Sequence, residues 1–185
     1  MSAPAASPVR VVLVGFMASG KTSVGRVLAR FLGWGFVDFD EEIEAAAGAT
    51  IPEIFSEEGE PAFRELEERV GRRLLEMENV VLATGGGWGA APGRLKELPE
   101  GTLSVWLKIG PEAAVRRAGR QDLDRPLLAV DDPVGRAREL LARREPRYRE
   151  ADLTLDADAA SPEELARAIE NFLEDAAEEQ TFNES

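Results

Sequence analysis

The feature that most constrains this chain is an eight-residue, glycine-rich segment near its amino terminus. The sequence GFMASGKT, from Gly15 to Thr22, fits the pattern G-x-x-x-x-G-K-[ST]. It follows the β-branched run VRVVLV, which is typical of a buried parallel strand, and it precedes residues 21–32, whose apolar positions have helical spacing. A strand, a glycine loop and a helix in this order predict a loop that wraps a phosphate group.

Each residue type in this loop has a mechanical reason. Glycines let the backbone curl so that successive N–H groups point at phosphate oxygens, and the helix N-terminus adds its positive dipole. Lys21 offers a charge to the β- and γ-phosphates of ATP, and Thr22 offers a hydroxyl to Mg²⁺. The alternative is a glycine-rich turn before an ordinary helix, which the strand–loop–helix context disfavours. We expect ATP to contact Gly15, Ala18, Ser19, Gly20, Lys21, Thr22 and Ser23.

Strand and helix patterns alternate along the remaining chain, which predicts one doubly wound α/β domain with a mostly parallel sheet. Strands are predicted at residues 9–14, 36–38, 80–84, 103–107 and 153–155. Helices are predicted at residues 21–32, 40–47, 51–58, 60–78, 111–118, 133–144 and from 161 onward. We expect a disordered leader at residues 1–8, a single folded domain at 9–174, a mobile loop at 119–130 and a fraying acidic tail at 175–185.

Charge and composition exclude several classes of function. The net charge of −13 repels nucleic acid and anionic membrane, so neither is an expected partner. The chain has no cysteine and no histidine, which excludes a thiolate nucleophile, a Ser-His-Asp triad and an imidazole or thiolate zinc site. A metal must be held by oxygen atoms, which suits Mg²⁺. With no signal peptide and no apolar stretch long enough to span a bilayer, we expect a cytoplasmic location.

Two aspartates, Asp38 and Asp40, follow the second predicted strand. Ligands of open α/β sheets bind at the carboxyl ends of the strands. One carboxylate can support Mg²⁺, often through water, and the other can orient or deprotonate an acceptor hydroxyl. A compatible alternative is that Asp40 caps the helix that begins at Glu41.

Six separate segments, taken in order, resemble the shikimate kinase family over nearly the whole chain. The segments are GFMASGKT, Asp38-Phe39-Asp40, Ile54-Phe55 with GEPAFR at residues 59–64, ATGGG at 83–87, RPLL at 125–128 and REPRY at 144–148. The resemblance implies a P-loop NTPase fold of three α/β/α layers, with five parallel strands in the order 2-3-1-4-5 and a lid over ATP at 119–130. It also implies ATP-dependent phosphorylation of the 3-hydroxyl of shikimate, which gives shikimate 3-phosphate and ADP in aromatic amino acid (chorismate) biosynthesis.

The resemblance also implies roles for the residues at matching positions. Catalytic roles fall to Lys21, Asp40 and Arg125, and Mg²⁺ ligation to Thr22 and Asp38. Shikimate contacts fall to Asp40, Arg64, Gly85, Gly86, Gly87 and Arg144. ATP contacts include Arg125 in the lid and Arg117, which matches the arginine that stacks on adenine. Arg116 is adjacent, and a shift of one residue in the match would assign this role to Arg116 instead. Two arginines can grip the shikimate carboxylate through charge-assisted hydrogen bonds, and Glu67 can fix the rotamer of Arg64.

Several of these residues have simpler interpretations. Arg64 and Glu67 can form only an exposed ion pair, and Arg144 can belong to a solvated basic helix end. Ala18 stands where the family usually has glycine, and its methyl group is strained if φ is positive. Trp88 can pack over the substrate or be buried against the next helix, and aromatic residues mostly serve packing.

Two other functions fit the same sequence. A kinase for another small carboxylated polyol, such as gluconate, would use the same arginines. A P-loop regulatory or binding domain without catalysis is the second. The residues that argue against it by occurring together are Lys21, Thr22, Asp38, Asp40 and Arg125. A nucleoside monophosphate kinase is disfavoured because no segment reads a nucleobase. No long apolar surface helix stands out, so we expect a monomer.

Overall fold

We describe the chain from a computed structural model, which covers residues 8–120 and 130–183. The strands are β1 (Arg10–Val14), β2 (Gly35–Asp38), β3 (Val80–Ala83), β4 (Thr102–Lys108) and β5 (Leu153–Asp156). The α-helices are α1 (Lys21–Leu32), α2 (Phe39–Ala47), α3 (Ile51–Glu57), α4 (Gly59–Leu75), α5 (Pro111–Arg120), α6 (Pro133–Tyr148) and α7 (Pro162–Asn183). A short 3₁₀ helix, Trp88–Ala90, follows β3. This element order agrees with the alternation predicted from the sequence.

The five strands form one sheet in the order β2-β3-β1-β4-β5, and every neighbouring pair is parallel. The strand order implied by the family resemblance is therefore confirmed. Leu13 of β1 pairs with Ala83 of β3, and Ala83 pairs with Asp38 of β2. The carboxyl ends of these three strands lie side by side, so the segments that follow them meet at one edge of the sheet.

The two faces of the sheet bury different sets of helices, because successive side chains of a strand point in opposite directions. Val11 and Leu13 belong to a core cluster with residues of α1 and α7. Val12 and Val14 belong to a second cluster with residues of α2, α3 and α4. The fold is thus a three-layer α/β/α sandwich. A third cluster joins α5 and α6 to Phe16 in the glycine loop.

Two helix ends differ from the prediction. Helix α6 was expected to end at Arg144, yet it continues through Pro146 to Tyr148. An interior proline removes a backbone hydrogen bond and crowds the preceding turn, so the prediction ended the helix early. Here Tyr148 is fully buried, and its packing holds the last turn. Helix α7 likewise continues to Asn183 through the tail that was expected to fray.

None of the helices in the described residues has the length and apolar character of a bilayer-spanning segment. The predicted leader ends at the first described residue. Residues 121–129, which include Arg125 and most of the predicted lid, lie outside the described part of the chain.

Candidate active site

The glycine loop has the backbone that a phosphate-binding loop requires. Gly15 has a φ of 144°, and a Cβ placed there would lie 2.6 Å from the carbonyl oxygen of Leu107. No side chain fits at this position. Gly20 has a φ of 93° and is the N-cap of α1, so the helix begins directly at Lys21. The Lys21 Nζ atom donates hydrogen bonds of 3.0 Å to the carbonyls of Gly15 and Phe16, which holds the ammonium group over the loop.

Ser19 provides a second sign that the loop is built for an anion. Its hydroxyl is buried, and within the described residues it has no hydrogen-bond partner. A buried hydroxyl without a partner costs free energy, and a phosphate oxygen at this loop would satisfy it. Ser23 lies one position beyond Thr22 on the exposed side of α1.

Ala18 adopts the left-handed conformation, with a φ of 59°. The glycine usual at this position in the family has no Cβ penalty there, whereas an L-residue with a methyl group costs roughly 1–2 kcal/mol. The strain predicted for a positive φ is therefore present. Ala18 is partly exposed, so the strain comes from its backbone conformation and not from crowding of its methyl group.

Replacing Ala18 with glycine should relieve this strain. We expect Ala18→Gly to raise the free energy of unfolding by about 0.5–1 kcal/mol, because the left-handed penalty exceeds the extra entropy of glycine in the unfolded chain. Denaturant unfolding measures the change. The matched control is Ala45→Gly in the exposed part of α2, which should destabilise by about 1 kcal/mol. Equal destabilisation by both substitutions would contradict the strain.

Thr22 and Asp38, the two residues assigned to the metal, lie in direct contact. The Thr22 hydroxyl donates a 2.7 Å hydrogen bond to Asp38 Oδ2, and Asp38 Oδ1 accepts the backbone N–H of Asp40 at 3.0 Å. Asp38 is therefore the N-cap of α2, and the alternative that Asp40 is the cap is wrong. Hard oxygen donors of this kind fit Mg²⁺. Within residues 8–120 and 130–183, no cluster of three acidic side chains offers a fuller metal site.

Residues 85–87, which we call the glycine turn, directly follow β3 and Thr84. A Cβ built on Gly85 would lie 2.9 Å from Asp40 Oδ1 and 3.5 Å from Glu67 Oε1. The absence of a side chain therefore lets Asp40 approach the backbone of this turn. The family resemblance assigned Asp40 and these glycines to one substrate, and the structure brings the two segments together.

The next two glycines face the predicted arginines. A Cβ on Gly86 would lie 3.4 Å from the backbone nitrogen of Met17 in the phosphate loop and 3.8 Å from Arg144 Nη1. A Cβ on Gly87 would lie 3.3 Å from Arg64 Nη1. The glycine turn is thus the place where the phosphate loop and both arginines meet, and Asp40 adjoins it at Gly85.

Arg64 is held beside the turn by two carboxylates of its own helix. Its Nη1 lies 2.8 Å from Glu67 Oε2, and its Nη2 lies 3.2 Å from Glu60 Oε1. Burial lowers the pKa of Arg64, but the hydrogen bonds and charges of Glu67 and Glu60 outweigh it, so the pKa is raised and the cation is secure. Glu67 is buried, which separates this pair from an ordinary surface ion pair.

Arg144 differs from the other arginines at the end of α6. Arg143, Arg147 and Arg149 form exposed pairs with glutamates of the same helix or its end. Arg144 is half-buried, donates to the Gly86 carbonyl at 3.1 Å and lies 5.7 Å from the centre of the Phe16 ring. The solvated-end interpretation therefore describes its neighbours but not Arg144.

Tyr148 was not assigned a role from the sequence, although it closes the REPRY segment. Its hydroxyl donates to the Gly86 carbonyl at 2.5 Å, the same oxygen that Arg144 contacts. The spacing of four residues between Arg144 and Tyr148 was the available signal, because such residues share one face of a helix. The predicted helix end at Arg144 concealed it.

The phenol of Tyr148 gives the structure a testable pH response. Burial raises its pKa above the ordinary value of about 10, and the charge and hydrogen bond of Arg144 only partly offset this. Folding therefore favours the neutral phenol, and its contribution to stability is complete below pH ~10 and is lost as the pH rises through the folded-state pKa. Tyr148 is the only tyrosine in the chain, so tyrosinate absorbance reports it alone. The titration midpoint should be higher in the folded protein than in denaturant, and an equal or lower midpoint would contradict burial of the phenol.

The remaining predicted residues are less tightly joined to this site. Arg117 donates to the backbone carbonyls of Ala157 and Asp158, at 2.6 Å and 3.2 Å, so it lies against the segment between β5 and α7. Its stacking on adenine stays a prediction, and Arg125 is outside the described residues. Trp88 is buried, as packing favours, between Phe39 of α2 and Gly71 of α4.

Comparisons with known proteins point to one family. A family model for shikimate kinase matches residues 17–174 of the chain. A shikimate kinase from Moorella thermoacetica is 46% identical over 166 residues, which are 90% of this chain and 95% of that protein. The solved structure of shikimate kinase from Acinetobacter baumannii in complex with shikimate aligns with a TM-score of 0.82 at 39% identity, covering 90% of this chain and 93% of that one.

A gluconokinase also shares the architecture. The crystal structure of the enzyme from Sinorhizobium meliloti 1021 aligns with a TM-score of 0.63 at 21% identity, covering 97% of this chain and 99% of that one. At this identity the likeness shows a common fold alone.

Proposed function

The chain belongs to the shikimate kinase family, and on that premise we propose that it transfers the γ-phosphoryl group of ATP to the 3-hydroxyl of shikimate, which yields shikimate 3-phosphate and ADP. The observation that carries this proposal is the convergence at the glycine turn. Arg64 and Arg144 lie within reach of Gly87 and Gly86, and the phosphate loop lies against the same Gly86. Two cations beside a phosphate loop suit an acceptor that is both carboxylated and hydroxylated.

On the phosphate side of the site, the charged groups already lie where the phosphates of ATP would bind. Lys21 is held over the loop, where it can follow negative charge on the transferring group. Thr22 and Asp38 are the residues that would hold Mg²⁺, which when bound neutralises charge on the β- and γ-phosphate oxygens. The lid arginine, Arg125, is proposed from the family resemblance to stabilise the same charge.

The acceptor side orients one hydroxyl of the substrate. Arg64 and Arg144 grip the carboxylate, and their planar guanidinium groups fix its direction. Asp40 accepts the proton of the attacking hydroxyl or orients it, the hydroxyl oxygen bonds to the γ-phosphorus, and ADP leaves. Because the transition state of phosphoryl transfer is loose, positioning matters more than the strength of the base.

Several further assignments belong to the same proposal. We propose a monomer that acts in the cytoplasm and whose partners are ATP and shikimate alone. We also propose a leader at residues 1–8, a kinase domain at 9–174 with a lid at 119–130, and a tail at 175–185.

Acceptor-dependent release of ADP tests the proposed function. The assay compares shikimate with gluconate and with nucleoside monophosphates, each with ATP and Mg²⁺. We expect ADP release with shikimate and only background with the others. Activity with gluconate alone would move the chain to a polyol kinase of the same fold, and background with every acceptor would favour a binding domain without catalysis.

A further inference from the structure

One backbone carbonyl at the glycine turn accepts two side-chain hydrogen bonds from a single helix. Tyr148 Oη lies 2.5 Å and Arg144 Nη1 lies 3.1 Å from the oxygen of Gly86. Both donors come from the last turns of α6, four residues apart on one face. The Gly86 carbonyl is therefore held from the side of the turn on which α6 packs.

Holding this carbonyl fixes more than one oxygen. The peptide unit is planar and trans, so the N–H of Gly87 points away from the carbonyl of Gly86. Without a Cβ on either side, a peptide between two glycines has an unusually wide choice of orientations. Two hydrogen bonds to one carbonyl remove that choice, and they do so where the backbone adjoins Arg64 on one side and Met17 on the other.

Tyr148 is not placed to touch a ligand itself. It is fully buried, and its ring packs on Trp106 of β4 with centroids 5.9 Å apart. Its ring supplies packing, and its hydroxyl supplies one directed hydrogen bond. An effect of this hydroxyl on the acceptor has to pass through the peptide of Gly86.

We propose that Tyr148 is a positioning residue, whose hydroxyl fixes the Gly86–Gly87 peptide so that the acceptor is aligned with the phosphate loop. The proposal rests on the proposed function, because it names a residue that shapes the same acceptor site. Because Tyr148 also donates to the Gly86 carbonyl, Arg144 is not the only side chain that holds it. The remaining donors of this guanidinium, which has five N–H groups, stay available for the acceptor carboxylate.

The substitution Tyr148→Phe tests this proposal, because it removes the hydroxyl and keeps the ring on Trp106. We expect kcat/KM for shikimate to fall about tenfold, the worth of one buried hydrogen bond that also positions a reacting group. KM for ATP should stay within about twofold, since the phosphate loop keeps its own contacts. An equal loss in the parameters of both substrates would overturn the proposal, because it would indicate a general structural role.

Ser104→Ala is the matched control. Ser104 is buried on the same strand as Trp106, and its hydroxyl donates to Asp152 at 2.6 Å, away from the glycine turn. Ser104→Ala and Tyr148→Phe should both lower the melting temperature, because each removes a buried hydrogen bond. Ser104→Ala should leave kcat/KM for shikimate unchanged. If both variants lose the same stability and both keep their kcat/KM for shikimate, Tyr148 serves packing alone and the proposal is wrong.

A second measurement needs no substitution that could impair folding. Growth with 3-fluorotyrosine labels only position 148, because the chain has one tyrosine. Adding shikimate should shift the fluorine resonance in a saturable manner, and an unchanged resonance at saturating shikimate would contradict the proposal. Failure of the proposed function can be distinguished from failure of this proposal. In that case the unsubstituted protein itself would release ADP only at the background rate when shikimate is added.

Discussion

Replacing Asp40 with asparagine is expected to lower kcat for shikimate by roughly 10²–10⁴-fold, the usual worth of a positioned acid–base group. Asp40 lies in the first turn of α2 with Oδ1 beside the glycine turn, where a Cβ on Gly85 would meet it at 2.9 Å. Asparagine has almost the same shape, but its amide cannot accept the proton of an attacking hydroxyl. Steady-state kinetics with saturating ATP measure the change.

The helix cap of α2 is separate from the residue replaced in this test. Asp38 caps the helix, so Asp40→Asn leaves the cap in place. The matched control is Glu41→Gln, which removes the neighbouring first-turn charge and its exposed pair with Arg26. The control should keep kcat within about twofold, because exposed pairs contribute little. If Asp40→Asn behaves like this control, Asp40 does not act as the base, and its role is at most to orient the hydroxyl through an accepted hydrogen bond.

Arg64→Ala is expected to lower kcat/KM for shikimate by roughly 30-fold to several thousand-fold, because truncating one partner of a hydrogen-bonded charge pair costs about 2–5 kcal/mol. The loss should fall on the acceptor, with KM for ATP nearly unchanged. Arg64→Lys should recover only part of the loss, since an ammonium group cannot grip a carboxylate with two parallel hydrogen bonds. Initial rates measured against each substrate in turn separate the two effects.

Helix α4 supplies the control for Arg64. Arg72 pairs with Glu68 four residues earlier, as Arg64 does with Glu60, but it is exposed and belongs to no contact at the glycine turn. Arg72→Ala should change neither substrate's parameters. An Arg64→Ala enzyme with unchanged kcat and KM for shikimate would remove Arg64 from the site and leave Glu67 as its structural partner alone.

The sequence was sufficient for the parts of the fold that repeat a local pattern. The alternation of strands and helices predicted the α/β class, and the GFMASGKT motif predicted the phosphate loop between β1 and α1. The strand order came from the family resemblance, because spacing along the chain does not say which strands are neighbours. The end of α6 was missed because Pro146 argues locally for a break, whereas the buried ring of Tyr148 holds the helix through a long-range contact.

The candidate site shows the same contrast between residues that a local pattern predicts and residues that depend on long-range packing. Thr22 and Asp38 were assigned together, and the structure places them in contact. No local pattern distinguished Arg144 from its basic neighbours, because only the packing of α6 against the glycine turn directs it inward. The sequence showed that Ala18 would be strained if its φ were positive. It could not give the sign of φ, because that depends on the three-dimensional path of the loop.

The position of the transferred phosphate tests the central claim most directly. The unsubstituted protein is incubated with ATP, Mg²⁺ and shikimate, and the product is analysed by phosphorus NMR and mass spectrometry. The proposed function predicts one equivalent of ADP for each shikimate 3-phosphate formed, with the phosphorus coupled to the ring proton at carbon 3. Release of inorganic phosphate without phosphorylated shikimate, or a phosphate on another hydroxyl, would contradict it.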